Sequence, residues 1–165
     1  MKKSILVGGA ICLFLFGGLL ASMGSQQTDE TIKVRIARLE ISTIATVLMD
    51  YLTDRGKFLF KDMPSLYEGS DVYKALCPAY AKSLPTRDPW GEPYKVIYGK
   101  EVAKFYGFKT AAEDDYLVIS FGRDKKMEKW TYDPKRPEAG IYSGIDPDKD
   151  LVNFNGSFIR GPKKI

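Results

Sequence analysis

The run IKVRIARLEISTIATVLMDYLTDRG, residues 32 to 56, decides the fold. Ile36, Leu39, Ile41, Ile44, Ala45, Leu48, Tyr51 and Leu52 recur largely at three- and four-residue spacing, which predicts an amphipathic helix over 32–55. Its β-branched residues lower the intrinsic propensity, so packing must hold it. Gly56 is the expected stop. The apolar stripe reads as core packing, and self-association through the same stripe is compatible with that if the helix is partly exposed.

Downstream the apolar period shortens to two. YKVIYG (94–99) and the KFYGF region (104–108) read as strands. DYLVISFG (115–122) is the clearest strand: Leu117, Ile119 and Phe121 alternate against Tyr116, Val118 and Ser120. Both of its faces are largely apolar, which predicts a strand covered on one side by the long helix. In LVNFNGSFIR (151–160), Asn155-Gly156 separates two short strand-like runs, the pattern of a tight hairpin whose central residues need positive φ. The expected architecture is α+β, a long amphipathic helix on a small antiparallel sheet spanning 94–160. A short helix over 71–82 is expected between them, capped by Ser70 or Asp71 and disturbed by Pro78. The prolines and glycine of SLPTRDPWGEPY (83–94) exclude a regular helix. Trp90 is expected to pack on the domain; a carbohydrate or peptide platform is its sharper alternative.

Upstream lie a polar stretch, GSQQTDET (24–31), read as a connector, and an N-terminus in which Lys2 and Lys3 precede the apolar ILVGGAICLFLFGGLLA (5–21). Residues 1–24 read as a signal anchor or a signal peptide, and 25–165 as one domain. A retained anchor implies a single-pass transmembrane protein of the inner membrane, with the domain in the periplasm. Cleavage near residue 24 implies a soluble periplasmic or secreted domain.

The 165 residues include no histidine, which removes His-based triads and the common catalytic zinc sites. With Cys12 in the apolar run, Cys77 is left without an intradomain disulfide partner. A net charge of +4, of which Lys2 and Lys3 are part, gives no concentrated footprint for nucleic acid. No pair of carboxylates singles itself out for acid–base work, and the expectation is a protein that is not an enzyme.

One polar constellation stands out. Asp146, Asp148 and Asp150 alternate in GIDPDKDL, and alternate carboxylates on a loop can converge on a hard cation such as calcium. The loop is no EF-hand, whose required glycine and glutamate are replaced by Leu151 and Ser157. Asp124 could add an oxygen if the long loop 123–145 folds back. A solvated acidic loop is the competing reading.

LPTRDPWGEPYKVIYG (84–99) resembles the signature block of the major pseudopilins of type II secretion, the GspG family, through Leu84, Pro85, Asp88, Pro89, Trp90, Gly91, Pro93 and Tyr94. DDYLVISFGRDKK is similar to the next family block through Tyr116, Ser120, Gly122 and Asp124, and DKDLVNFNGSFIR to the closing one through Asp148, Asp150 and Leu151. The resemblance spans about residues 36 to 160. The family's basic leader, ending in glycine and phenylalanine with a glutamate at the fifth mature position, is not recognisable here, and loop 125–145 is longer than the family's compact one. The resemblance implies a structural, non-enzymatic role in protein transport, with self-association, other pseudopilins or secretion-machinery proteins as partners, and contact with the inner membrane through 5–21. It implies calcium held by Asp124, Asp148 and Asp150, with Asp146 as a local substitute. The alternative is a membrane-tethered or periplasmic binding module that reuses the pseudopilin domain.

Overall fold

The computed structural model describes residues 11–60 and 65–163. Helix α1 runs without a break from Ile11 to Arg55, far longer than the 32–55 expected. The connector read into 24–31 is helical. Polar as they are, Gln26, Gln27 and Glu30 tolerate a helix well, and the ladder is reinforced locally. Lys33 pairs with Asp29 at 3.0 Å and Glu30 at 3.2 Å, and the Thr31 hydroxyl donates to the Gln27 carbonyl. α1 stops where expected: Gly56, at φ +70°, donates its N–H to the Leu52 carbonyl at 2.7 Å.

Helix α2, Asp71–Leu76, is capped by Ser70, whose hydroxyl oxygen accepts from the Tyr73 N–H. It ends before Pro78, shorter than the expected 71–82. Strands β1 (Lys95–Tyr98), β2 (Tyr116–Ser120), β3 (Ile141–Tyr142), β4 (Leu151–Phe154) and β5 (Ser157–Pro162) form a sheet in the order β1-β2-β4-β5-β3. All neighbours are antiparallel except β3, which lies parallel on the edge of β5. The β4–β5 turn puts Asn155 at φ 48° and Gly156 at φ 85°, the hairpin geometry expected from Asn-Gly. The KFYGF region is not a strand. Gly99–Lys104 is a 3₁₀ turn, and Tyr106 and Gly107 follow at φ 46° and 69°, values no strand accommodates.

The fold is therefore α+β, with helices packed against a small, mainly antiparallel sheet. On one face, Ile41, Ile44, Leu48 and Tyr51 of α1 meet Val96, Tyr116 and Val118. The Tyr116 hydroxyl donates to the Ala45 carbonyl at 3.0 Å, which fixes strand to helix. The long helix thus covers one side of β2, as expected, and the other face is covered by different elements. Ile97, Leu117, Ile119 and Val152 pack under Val102 and Tyr106 and under the rings of Phe108, Trp130 and Tyr132. The expected stripe is displaced at its start: Val34 and Ala37 are buried, whereas Ile36 is exposed and Leu39 is 69% exposed. The sheet meets the helix face defined by 34, 37, 41, 44, 48 and 51, leaving Ile32, Ile36 and Leu39 as an apolar line on another side.

The membrane expectations are overturned. Among the described residues no helix is long and apolar enough to cross a membrane. Beyond residue 21, polar residues continue in the same helix. Residues 5–10 of the expected anchor lie outside the described residues. The transmembrane helix, the signal anchor, the single-pass inner-membrane localisation and the membrane as a partner are withdrawn. The other expected partners, a second copy of the chain and other pseudopilins or secretion-machinery proteins, are unsupported and are withdrawn with them.

Candidate functional site

The end of β2 and the approach to β4 meet in one corner, which holds all four candidate aspartates. Gly122, at φ +69°, lies so close to the crossing chain that a Cβ there would sit 2.4 Å from the Pro147 carbonyl oxygen. The neighbouring Arg123 N–H donates to that same carbonyl at 2.7 Å. Only glycine satisfies both the conformation and the approach. The SFGRD and DPDKD segments are thereby held together.

The carboxylates nevertheless serve different partners. Asp124 is exposed and accepts from the Lys126 N–H at 2.9 Å. Asp146 accepts from the Asp148 N–H at 3.1 Å and shapes its own turn. Asp148 is gripped by Arg123 through two bonds of 2.8 and 2.7 Å. Those bonds hold its carboxyl below the ordinary aspartate range. Asp150 is 0% exposed; its Oδ2 accepts from the Tyr106 hydroxyl at 2.5 Å and from the Glu128 N–H at 2.9 Å, while its Oδ1 has no hydrogen-bond partner. Burial pushes this carboxyl up to about 6, and the nearby charges of Glu128 and Asp124 add to the rise.

Calcium takes six to eight oxygens at ~2.3–2.6 Å. The orphaned Asp150 Oδ1 is a donor in search of a partner, but the rest of the set does not gather around it. Among the described residues no group of three or more acidic or cysteine side chains is placed to hold a metal ion. Asp148 is committed to Arg123, and Asp124 and Asp146 to their own turns. The corner as folded therefore does not fit the calcium that the family resemblance implies.

Two further nodes organise this end of the molecule. Asp88, buried, accepts from the N–H groups of Trp90 (3.1 Å) and Glu92 (2.9 Å) with Oδ1 and from the Ser120 hydroxyl (2.6 Å) with Oδ2. The Asp-Pro-Trp-Gly turn is thus locked to the end of β2. The second node is the pair of Glu128 with Arg160, a residue only 8% exposed. Arg160 donates twice to Glu128 and once to the Gly140 carbonyl at 3.0 Å, and lies over the rings of Trp130 and Tyr142. This pair fastens loop 123–140 to β5. Sequence reading assigned neither residue a role. The available signal was an arginine ending the apolar run of SFIR, where a buried cation demands a carboxylate.

No protein-family model matches the chain, and no curated protein or solved structure matches it.

Proposed function

We propose that the chain is a pseudopilin-like structural component of a type II secretion or related pilus-like assembly, acting by contact rather than by catalysis. The observation that carries this reading is α1. It is one helix of 45 residues, and among the described residues Val34 is the first it buries in the core. The backbone continues as helix for 16 residues before Gln27, roughly 24 Å at ~1.5 Å per residue. A long leading helix with a small sheet seated on its C-terminal half is the arrangement that the family resemblance implies.

The positions of the sequence blocks in the fold support this reading. The tryptophan block enters β1, Ser120-Phe121-Gly122 closes β2, and Asp150 opens β4. Ile32, Ile36 and Leu39 add an apolar line that the domain leaves uncovered. The test is deletion of the gene in its native cell, with export of a folded enzyme to the medium as the readout. Export should fall and return with the full chain but not with a chain lacking 11–29. Unchanged export after deletion contradicts the proposal.

A further inference from the structure

Away from the aspartate corner, the outer face of the sheet carries a groove of about 640 Å³ between the 107–110 turn and loop residues 131–136. Its floor is made of the half-buried rings of Phe108, Tyr132 and Phe154. Phe108 stacks on Tyr132 with centroids 4.5 Å apart and planes 21° apart, and Phe154 leans on them at 4.9 and 5.9 Å. The two walls are drawn together at Gly107, at φ 69°, where a Cβ would lie 2.5 Å from the Thr131 methyl. The Tyr132 N–H donates to the Tyr106 carbonyl at 2.7 Å and sets the depth of the wall. The groove is therefore a built feature of the backbone.

The rim is unbalanced in charge. Lys109, Lys135 and Arg136 are exposed and face one carboxylate, Asp133. That carboxylate is already satisfied: it accepts from the Lys135 N–H at 3.0 Å and from Arg136 Nε at 3.1 Å. Among the described residues no ion pair engages the ammonium groups of Lys109 or Lys135.

We propose that this groove binds an acidic peptide segment of another protein. One aromatic or aliphatic side chain of the segment rests on the three rings, and carboxylates on either side reach Lys109 and Lys135. Phe108 and Tyr132 each spend one face on the other, which reduces the aromatic face left for a nucleobase or a sugar to stack on. What remains is a composite apolar floor suited to a compact side chain, inside a rim whose charge selects acids. This inference rests on the groove alone and stands independently of the assembly role.

The test titrates the full chain into a fluorescein-labelled, acid-rich peptide with one central phenylalanine. Saturable binding is expected, weakening about tenfold or more when that phenylalanine becomes serine. The Lys109→Glu/Lys135→Glu double variant changes only exposed side chains and should fold as the parent does. It should also weaken binding about tenfold or more, and added salt should weaken it further. Amide resonances of Gly107, Thr110 and Thr131 should shift on binding. Absence of saturation up to about 1 mM, equal affinity of the double variant, or shifts confined to other residues would overturn the proposal. Tighter binding of heparin or of an oligothymidylate than of the peptide would overturn it as well.

Discussion

Trp90 donates its indole N–H to the Glu30 carboxylate at 2.8 Å, joining the turn that enters the sheet to a helix residue 60 positions earlier. The bond exists only because the chain around Glu30 is helical, so it reports on the continuity of α1. Glu30→Ala should cost about 1.5–3 kcal/mol in urea unfolding, the usual worth of a hydrogen bond to a charged group. Trp90 fluorescence should shift to the red as its ring loosens. Unchanged stability and emission would show that the contact is not formed.

Glu128→Ala leaves the Arg160 guanidinium buried without its carboxylate. A loss of about 3–5 kcal/mol is expected by denaturant titration, together with faster protease cleavage in loop 123–140. Replacing the pair by Glu128→Leu with Arg160→Met should recover most of that loss, because the cost comes from the stranded charge. A mild effect of Glu128→Ala alone would contradict the pairing.

Asp150 gives a pH dependence of defined sign. Its carboxyl titrates at about 6 when folded, against an ordinary value of 3.8, so the folded state holds the proton more tightly. Its contribution is most favourable below pH 4, declines as the pH rises towards 6, and is lost above that. Asp150→Asn removes this titration. The stability of the variant relative to the parent should therefore rise by roughly 3 kcal/mol between pH 4 and pH 7, at ~1.36 kcal/mol for each pH unit that separates the folded from the ordinary value. A pH-independent difference would mean that Asp150 titrates normally.

Calcium should leave the unfolding midpoint of the parent chain where it is, since Arg123 already occupies Asp148 and no ligand set is assembled among the described residues. Thermal unfolding with excess calcium and with a chelator checks this. A calcium-dependent rise in the midpoint would show that the corner rearranges around the ion.

Much of the fold was legible wherever the signal was local. The helix stop at Gly56, strand β2 and the Asn155-Gly156 hairpin each depend on a few adjacent residues, and each appears as expected. The start of α1 was not legible, because GSQQTDET has the composition of a connector while containing little that breaks a helix. The strand expected at 104–108 failed on the 3₁₀ turn ending at Lys104 and on the positive φ of Tyr106 and Gly107, which a run of aromatic residues does not announce. The sequence could bring Asp124 to the other aspartates only if loop 123–145 folded back, and alternation in sequence does not say which way a carboxylate turns. The neighbouring Arg123 decided Asp148, and Tyr106, 44 residues away, decided Asp150. The Glu128–Arg160 pair spans 32 residues, and such separations leave no local trace.

The continuity of α1 is best tested by the distance between spin labels at Gln27 and Thr46, both exposed, with Cys12 and Cys77 replaced by serine. An unbroken helix places the two backbone positions roughly 28 Å apart at ~1.5 Å per residue, with a narrow distribution. That result would establish one helix carrying the sheet. A broad or markedly shorter distribution would restore the connector at 24–31 and remove the observation on which the proposed function rests.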